Sequence, residues 1–133
     1  MEKSNFEKLE VYQLAVKLAE IVWKMVNGWK HFEKNTLGSQ LVEAADSIGA
    51  NIAEGYGRGS FQDNRRFVRI ARGSLNETKH WLKLSYQRQL MGEDSVKHLK
   101  SLMDELAPRL NAYLNSIGRQ DTKKDNPQPT TGN

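Results

Sequence analysis

Apolar residues recur along the first 118 positions at alternating spacings of three and four, the repeat of an α-helix packed on one side. From about Lys8 to Trp29 the row is Val11, Leu14, Ala15, Leu18, Val22, Met25 and Trp29. A second row, Tyr12, Val16, Ala19, Trp23 and Val26, runs beside it. Only a narrow polar strip remains: Gln13, Lys17, Glu20, Lys24 and Asn27. A helix apolar over most of its circumference is covered on more than one side. It is either central in its own bundle or part of a subunit interface. In a four-helix bundle each helix borders two neighbours, so the second row is expected to meet another copy of the chain.

Three more helices follow. After an expected loop at 31–35, Leu37, Leu41, Ala45, Ile48, Ile52 and Tyr56 define a second helix over Thr36–Tyr56. Gly49 stands in its middle, at a cost of about 1 kcal/mol relative to Ala. The small residues Ala44, Ala45, Ala50 and Ala53 around it predict close helix packing or a local bend. Gly55, Gly57 and Gly59 read as left-handed stops and a turn. Ser60, with Asp63 three residues on, is an N-cap signal for a third helix reaching about Gln89. Its expected core row is Phe67, Ile70, Ala71, Leu75, Thr78, Trp81 and Leu82. Met91 and Gly92 mark the next stop. Val96, Leu99, Leu102, Met103, Leu106, Leu110, Tyr113, Leu114 and Ile117 define a fourth helix from Glu93, ended by Gly118. Pro108 removes one backbone bond and predicts a kink near Asp104–Pro108. The fold class is therefore all-α, an antiparallel up-down-up-down four-helix bundle over residues 1–118. Residues 119–133, polar and without periodicity, are expected to be disordered.

Composition narrows the chemistry. The chain has 133 residues, enough for one domain, with 38% apolar and 27% charged residues and a mean hydropathy of −0.72. With no cysteine there is no disulfide framework, thiolate nucleophile or cysteine metal site. No apolar run approaches the roughly 18 residues a membrane helix needs, and the first residues lack the apolar region of a secretory signal. The expected location is the cytoplasm. Charge is unevenly placed. Residues 1–57 carry 6 basic and 8 acidic residues, a net −2; residues 58–90 carry 8 and 2, a net +6; residues 91–133 carry 6 and 6. On a helical wheel Arg65, Arg69, Arg72, Lys79 and Lys83 fall within about 80° of one another, opposite the expected core. Arg58 precedes them in the turn. This ridge is the candidate nucleic-acid-binding surface, with phosphate as the group recognised. The alternative reading of the same row is a solvated surface whose charges are met by Glu20 or Glu43 of other helices or subunits. No aromatic residues interleave it, so base stacking has no support.

Other candidates are weaker. Glu77-x-x-His80 has the spacing of a di-iron motif, but the bundle class needs two such motifs plus two further carboxylates. Ser39, Ser47, Ser60 and Ser74 have no base placed by a motif. Glu43, Asp46 and Glu54 share a polar face, which a solvated surface explains. The glycines after Glu54 lack the lysine and Ser/Thr of a phosphate-binding loop. No catalytic residue, cofactor or metal is expected.

Three blocks resemble a known family. Residues 41–58, LVEAADSIGANIAEGYGR, are similar to the signature of the 23S rRNA intervening-sequence proteins, also called four helix bundle proteins. The segment from Phe6 through Leu9-Glu10-Val11-Tyr12-Gln13-Leu14-Ala15 is similar to that family's opening. Phe67, Ala71-Arg72-Gly73-Ser74-Leu75 and Glu77 resemble a stretch of its third helix. Gly49 departs from the pattern, since relatives usually carry proline there. The resemblance implies a bundle that assembles into a homopentamer. It implies a fold shared with the accessory variability protein of diversity-generating retroelements, a partner of a reverse transcriptase. It supplies no activity. It also marks Asn51, Glu54, Gly55 and Arg58 as motif residues that cap a helix, contact a neighbour or line a site. The expected function is a non-enzymatic oligomeric scaffold with Tyr12, Val16, Ala19, Trp23 and Val26 at the oligomer interface and RNA or DNA on the ridge. The alternative is an accessory subunit of a nucleic-acid enzyme that does not itself touch nucleic acid.

Overall fold

In the computed structural model, residues 5–119 are described and form four long helices. They are α1 (Glu10–Asn27), α2 (Ser39–Tyr56), α3 (Phe61–Gln87) and α4 (Glu93–Ser116). No strand occurs among the described residues. A 3-10 turn, Asn5–Lys8, precedes α1. The expected disorder of the tail concerns residues that lie, except for Arg119, outside the described ones.

Neighbours in sequence are neighbours in space: α1 packs on α2, α2 on α3, α3 on α4, and α4 returns to α1. Tyr12, early in α1, approaches Gly49 late in α2, and Val26, late in α1, approaches Gly38 just before α2. Arg109 of α4 pairs with Glu10 at the start of α1, Nη1 to Oε1 2.6 Å. The core runs through all four helices. Leu18, Val22, Leu41, Ile48, Ile52, Val68, Leu75, Leu99, Leu106 and Leu110 are each at most 1% exposed. Burying a side chain of this kind contributes roughly 1.5–3 kcal/mol.

Several local expectations are corrected. The segment 31–35 is helical: a short α turn, His31–Glu33, runs into a π turn, Lys34–Gly38, and on into α2. Thr36 Oγ1 donates to the Phe32 carbonyl within this stretch at 2.7 Å. The true connection is Gly28–Lys30. Gly55, Gly57 and Gly59 are not left-handed. Among the described residues only Gln89 and Gly118 have positive φ, 64° and 77°. Gly118 ends α4 as expected, and does so in the left-handed conformation. Gly55 instead lies inside α2, where α3 comes so close that a Cβ would stand 2.9 Å from Phe67 Cβ and 3.0 Å from the Asn64 carbonyl oxygen. The core row of α3 is rotated from the expected one. Ile70 is 42% exposed, and Phe67 and Trp81 are half-buried. The buried row is Asn64, Val68, Ala71, Ser74, Leu75, Thr78, Leu82 and Ser85. Leu14 and Met25 in α1 and Trp29 just after it are half-buried, whereas Ala19 and Val26 of the second row are covered by this chain's own core at 8% and 4% exposure. Helix α4 continues unbroken through Pro108.

Candidate nucleic-acid interface

The ridge is positioned by the start of α3. Ser60 accepts from the Asp63 amide at 3.1 Å and caps the helix, fixing the rotation of everything after it. Arg58, in the turn, pairs with Glu54 at 2.9 Å and lies 3.8 Å from Asp63 Oδ2. Arg66 approaches Asp63 at 3.5 Å. The two guanidinium groups lie over the Phe67 ring at 5.3 and 4.5 Å from its centroid, within cation–π range.

The five ridge residues differ in environment. Arg65 does not point freely outward. It is half-buried and its Nη1 donates to the Ile117 carbonyl at 2.8 Å. The last carbonyls of a helix lack intrahelical donors, and Arg65 supplies one to the end of α4. Arg72 is exposed and donates to Asn111 Oδ1 on α4 at 3.1 Å. Arg69 and Lys83 are exposed, and Lys79 is half-buried. Among the described residues, none of Arg65, Arg69, Arg72, Lys79 and Lys83 is paired with a carboxylate. Arg58 is, so it contributes least to the field around the ridge.

The motif block builds the corner between α2 and α3. Asn51 Nδ2 donates back to the Ser47 carbonyl at 2.8 Å. Gly55 admits Asn64, and Glu54 holds Arg58 beside Phe67. Asn64 is not signalled by the hydrophobic pattern, whereas Tyr113 stands in the expected row of the fourth helix. Asn64 is fully buried, and neither its side-chain amide atoms nor the Tyr113 hydroxyl closes a hydrogen bond of standard geometry. Burial pushes the Tyr113 phenol up to about 12; the Asn64 amide acts in the opposite direction and Tyr56 adds to the rise. Burial dominates, because the amide and phenol do not reach hydrogen-bond geometry.

The α1–α2 face is different in kind. Trp23 is 55% and Val16 36% exposed. Two shallow hollows, of about 440 and 380 Å³, lie along it, one edged by Trp23 and Val42 and the other by Tyr12, Val16 and Ala50. Tyr12 stacks edge-on against Phe6, with ring centroids 5.1 Å apart. Burial, and after it the charge of Glu20, raises the Asp46 carboxyl above its ordinary value on this face.

The remaining candidates take local roles. Glu77 accepts from Trp81 Nε1 at 3.3 Å, and His80 stacks edge-on with Trp81. Ser47 donates to the Glu43 carbonyl at 2.8 Å. Among the described residues no three His, Cys, Asp or Glu side chains converge, and no helix is long and apolar enough to cross a membrane.

These features define a class: a small all-α protein of four helices with a cationic helix face and an exposed apolar face. The model of the 23S rRNA-intervening sequence proteins matches residues 7–112, and the chain belongs to that family. A crystal structure of a protein of unknown function from the S23 ribosomal protein family of Bacteroides thetaiotaomicron is similar in fold, with a TM-score of 0.70. The two are 22% identical, and the match covers 78% of this chain and 97% of that one. Among curated proteins no significant match is found.

Proposed function

We propose that the chain is a non-enzymatic, self-associating helical scaffold that binds the phosphate backbone of nucleic acid along α3. The observation that carries this reading is the row Arg65, Arg69, Arg72, Lys79 and Lys83, five cations on one helix without a carboxylate partner among the described residues. A protein surface normally intersperses charges of both signs; a one-sign row raises the local concentration of polyanions. Up-down-up-down order is the reading of the four helices that the end-to-start contacts of α1 with α2 support. Self-association is supported by the exposed Trp23 and Val16 beside the α1–α2 hollows. We read the assembly as a pentamer, following the family resemblance. In a ring the ridge is repeated, and weak contacts add through multivalency. The setting in which this function operates is the cytoplasm.

Fluorescence anisotropy with random RNA and DNA duplexes tests the ridge. Affinity should fall with salt by about 0.7–0.9 log units per phosphate contact for each log unit of salt. Arg69→Glu together with Lys83→Glu should abolish the anisotropy rise with either nucleic acid while leaving the oligomer unchanged, because both side chains are exposed. No binding by the wild type at tens of micromolar would sink the reading and assign the row to an acidic partner, such as an enzyme that works on nucleic acid. Light scattering tests assembly: Trp23→Glu should dissociate it to about 15 kDa, and an unchanged mass would remove Trp23 from the interface.

A further inference from the structure

A groove between the second half of α3 and the first half of α4 has a composition unlike the rest of the surface. Its volume is about 400 Å³, within the roughly 300–1,000 Å³ range of small-ligand sites. Its walls are apolar: Leu82 from α3, Val96, Leu99 and Met103 from α4, and Met91 from the turn between them. Its cations are Lys79, Lys83 and Lys100.

The order of these residues gives the groove a direction. On α3, Lys79, Leu82, Lys83 and Tyr86 recur at spacings of three and one, then three, a stripe about 10 Å long at 1.5 Å per residue. On α4, Val96, Leu99, Lys100 and Met103 form the matching stripe. Tyr86, Met91 and Val96 lie beside the α3–α4 turn, and Tyr86 is held there by donating to Glu93 Oε2 at 2.7 Å. Lys79 lies a full two turns of α3 from that end, with Lys83 between. Lys100 is neutralised by Asp104 at 2.7 Å. Lys79 and Lys83 pair with no carboxylate among the described residues. The groove is thus apolar toward Met91, and cationic toward the other end.

We propose that this groove binds a small amphiphile with an anionic head and a single medium-length alkyl chain, its tail toward Met91 and its head between Lys79 and Lys83. Charge complementarity selects the anionic head. The lysine stems extend the apolar walls while their ammonium groups stay in water. The site does not depend on the nucleic-acid reading, although two lysines are common to both.

Decanoate, below its micelle concentration, is the probe. Calorimetric titration into the full chain should show saturable binding, and each methylene added from octanoate onward should tighten it roughly 3- to 4-fold. Amide NMR shifts should be confined to residues 79–103. Lys79→Glu with Lys83→Glu should weaken binding at least tenfold. Val96→Trp, which fills the groove from its rim, should abolish it. Arg69→Glu should weaken nucleic-acid binding only, so the two readings fail separately. Absence of saturable decanoate binding overturns the proposal. So does equal binding of decyltrimethylammonium, a shift pattern elsewhere on the protein, or binding of an acidic helical peptide in place of decanoate.

Discussion

The two ends of α3 are built in opposite ways. At its N-terminal end three helices are drawn together. Gly55 of α2 has no Cβ to separate it from Asn64 and Phe67, and Arg65 reaches across to the last turn of α4. Gly118 gives way there as well: a Cβ on it would stand 2.7 Å from Arg65 Nη1 and 3.0 Å from Phe61 Cβ. At the C-terminal end no residue on the facing stripes is a glycine or alanine. Leu82, Leu99 and Met103 hold α3 and α4 apart and leave the groove. Small residues and long-range donors make one end a fixed corner. Large apolar residues and lysines make the other a recess. Specificity of fold is concentrated at the first, and room for a ligand at the second.

The largest effect should come from closing the gap that Gly55 leaves. In Gly55→Val the added carbons meet the Asn64 carbonyl and Phe67 Cβ, neither of which swings aside like the tip of a long side chain. Overpacking of this sort costs about 1–3 kcal/mol for modest insertions and more where backbone must move. We expect a loss above about 3 kcal/mol, read as a lowered denaturation midpoint with the slope unchanged. Gly55→Ala should lose less, since roughly 1 kcal/mol of helix propensity offsets the clash. Wild-type stability in both variants would show that α3 approaches less closely than described.

Much of this contrast was written in the chain, and the remainder was hidden for definable reasons. The spacing of Leu41, Ile48, Ile52 and Leu75 sets the helices and their inner faces, and Ser60 and Gly118 mark boundaries by local chemistry that needs no partner. The core row of α3 differs from the expected one because, besides the anticipated Thr78, it contains Asn64, Ser74 and Ser85. A hydrophobic pattern passes over polar residues, yet Thr78 and Ser85 satisfy their hydroxyls on the carbonyls of Ser74 and Trp81, each at 2.8 Å, and so tolerate burial. Ile70 was drawn into the row by its type alone. For the candidate site, the wheel places Arg65 and Arg72 on a ridge opposite the core. It could not show that their partners, Ile117 and Asn111, lie 52 and 39 residues away. Gly55 looked like a helix stop because glycine has two uses, backbone freedom and close approach, and only the neighbouring helix distinguishes them.

A smaller effect tests the polar heart of the fixed corner. The Tyr113 phenol ionises near 10 in the unfolded chain and about 12 in the folded one. Below the lower value both states are protonated and the difference contributes its full share of stability. Between the two values the unfolded chain loses a proton that the folded chain keeps, so stability falls as pH rises. The complete interval corresponds to about 2.7 kcal/mol; partial exposure reduces this to about 1–2 kcal/mol. Urea midpoints followed from neutral pH toward 12 should fall more steeply for wild type than for Tyr113→Phe. Parallel curves would mean that the phenol is already solvated in the folded protein.

The smallest expected change separates the two uses of glycine within α2 itself. Gly49 is buried like Gly55, but a Cβ on it would stand 3.5 Å from Tyr12 Cε1 and 3.7 Å from Val16 Cγ2, ordinary contact distances. The helix runs without interruption from Ser39 to Tyr56 across it. Ala at this position therefore adds helix propensity without a clash, and Gly49→Ala should stabilise the protein by up to about 1 kcal/mol. Leu at the same position must displace the Tyr12 ring, and Gly49→Leu should destabilise by about 1–3 kcal/mol. Thermal melts of the two variants beside wild type read both signs at once. If Gly49→Ala melts lower than wild type, α1 and α2 lie closer together than the Tyr12 contact allows. Gly49 would then be a close-approach residue like Gly55, and the tight packing of the corner would extend along the whole of α2.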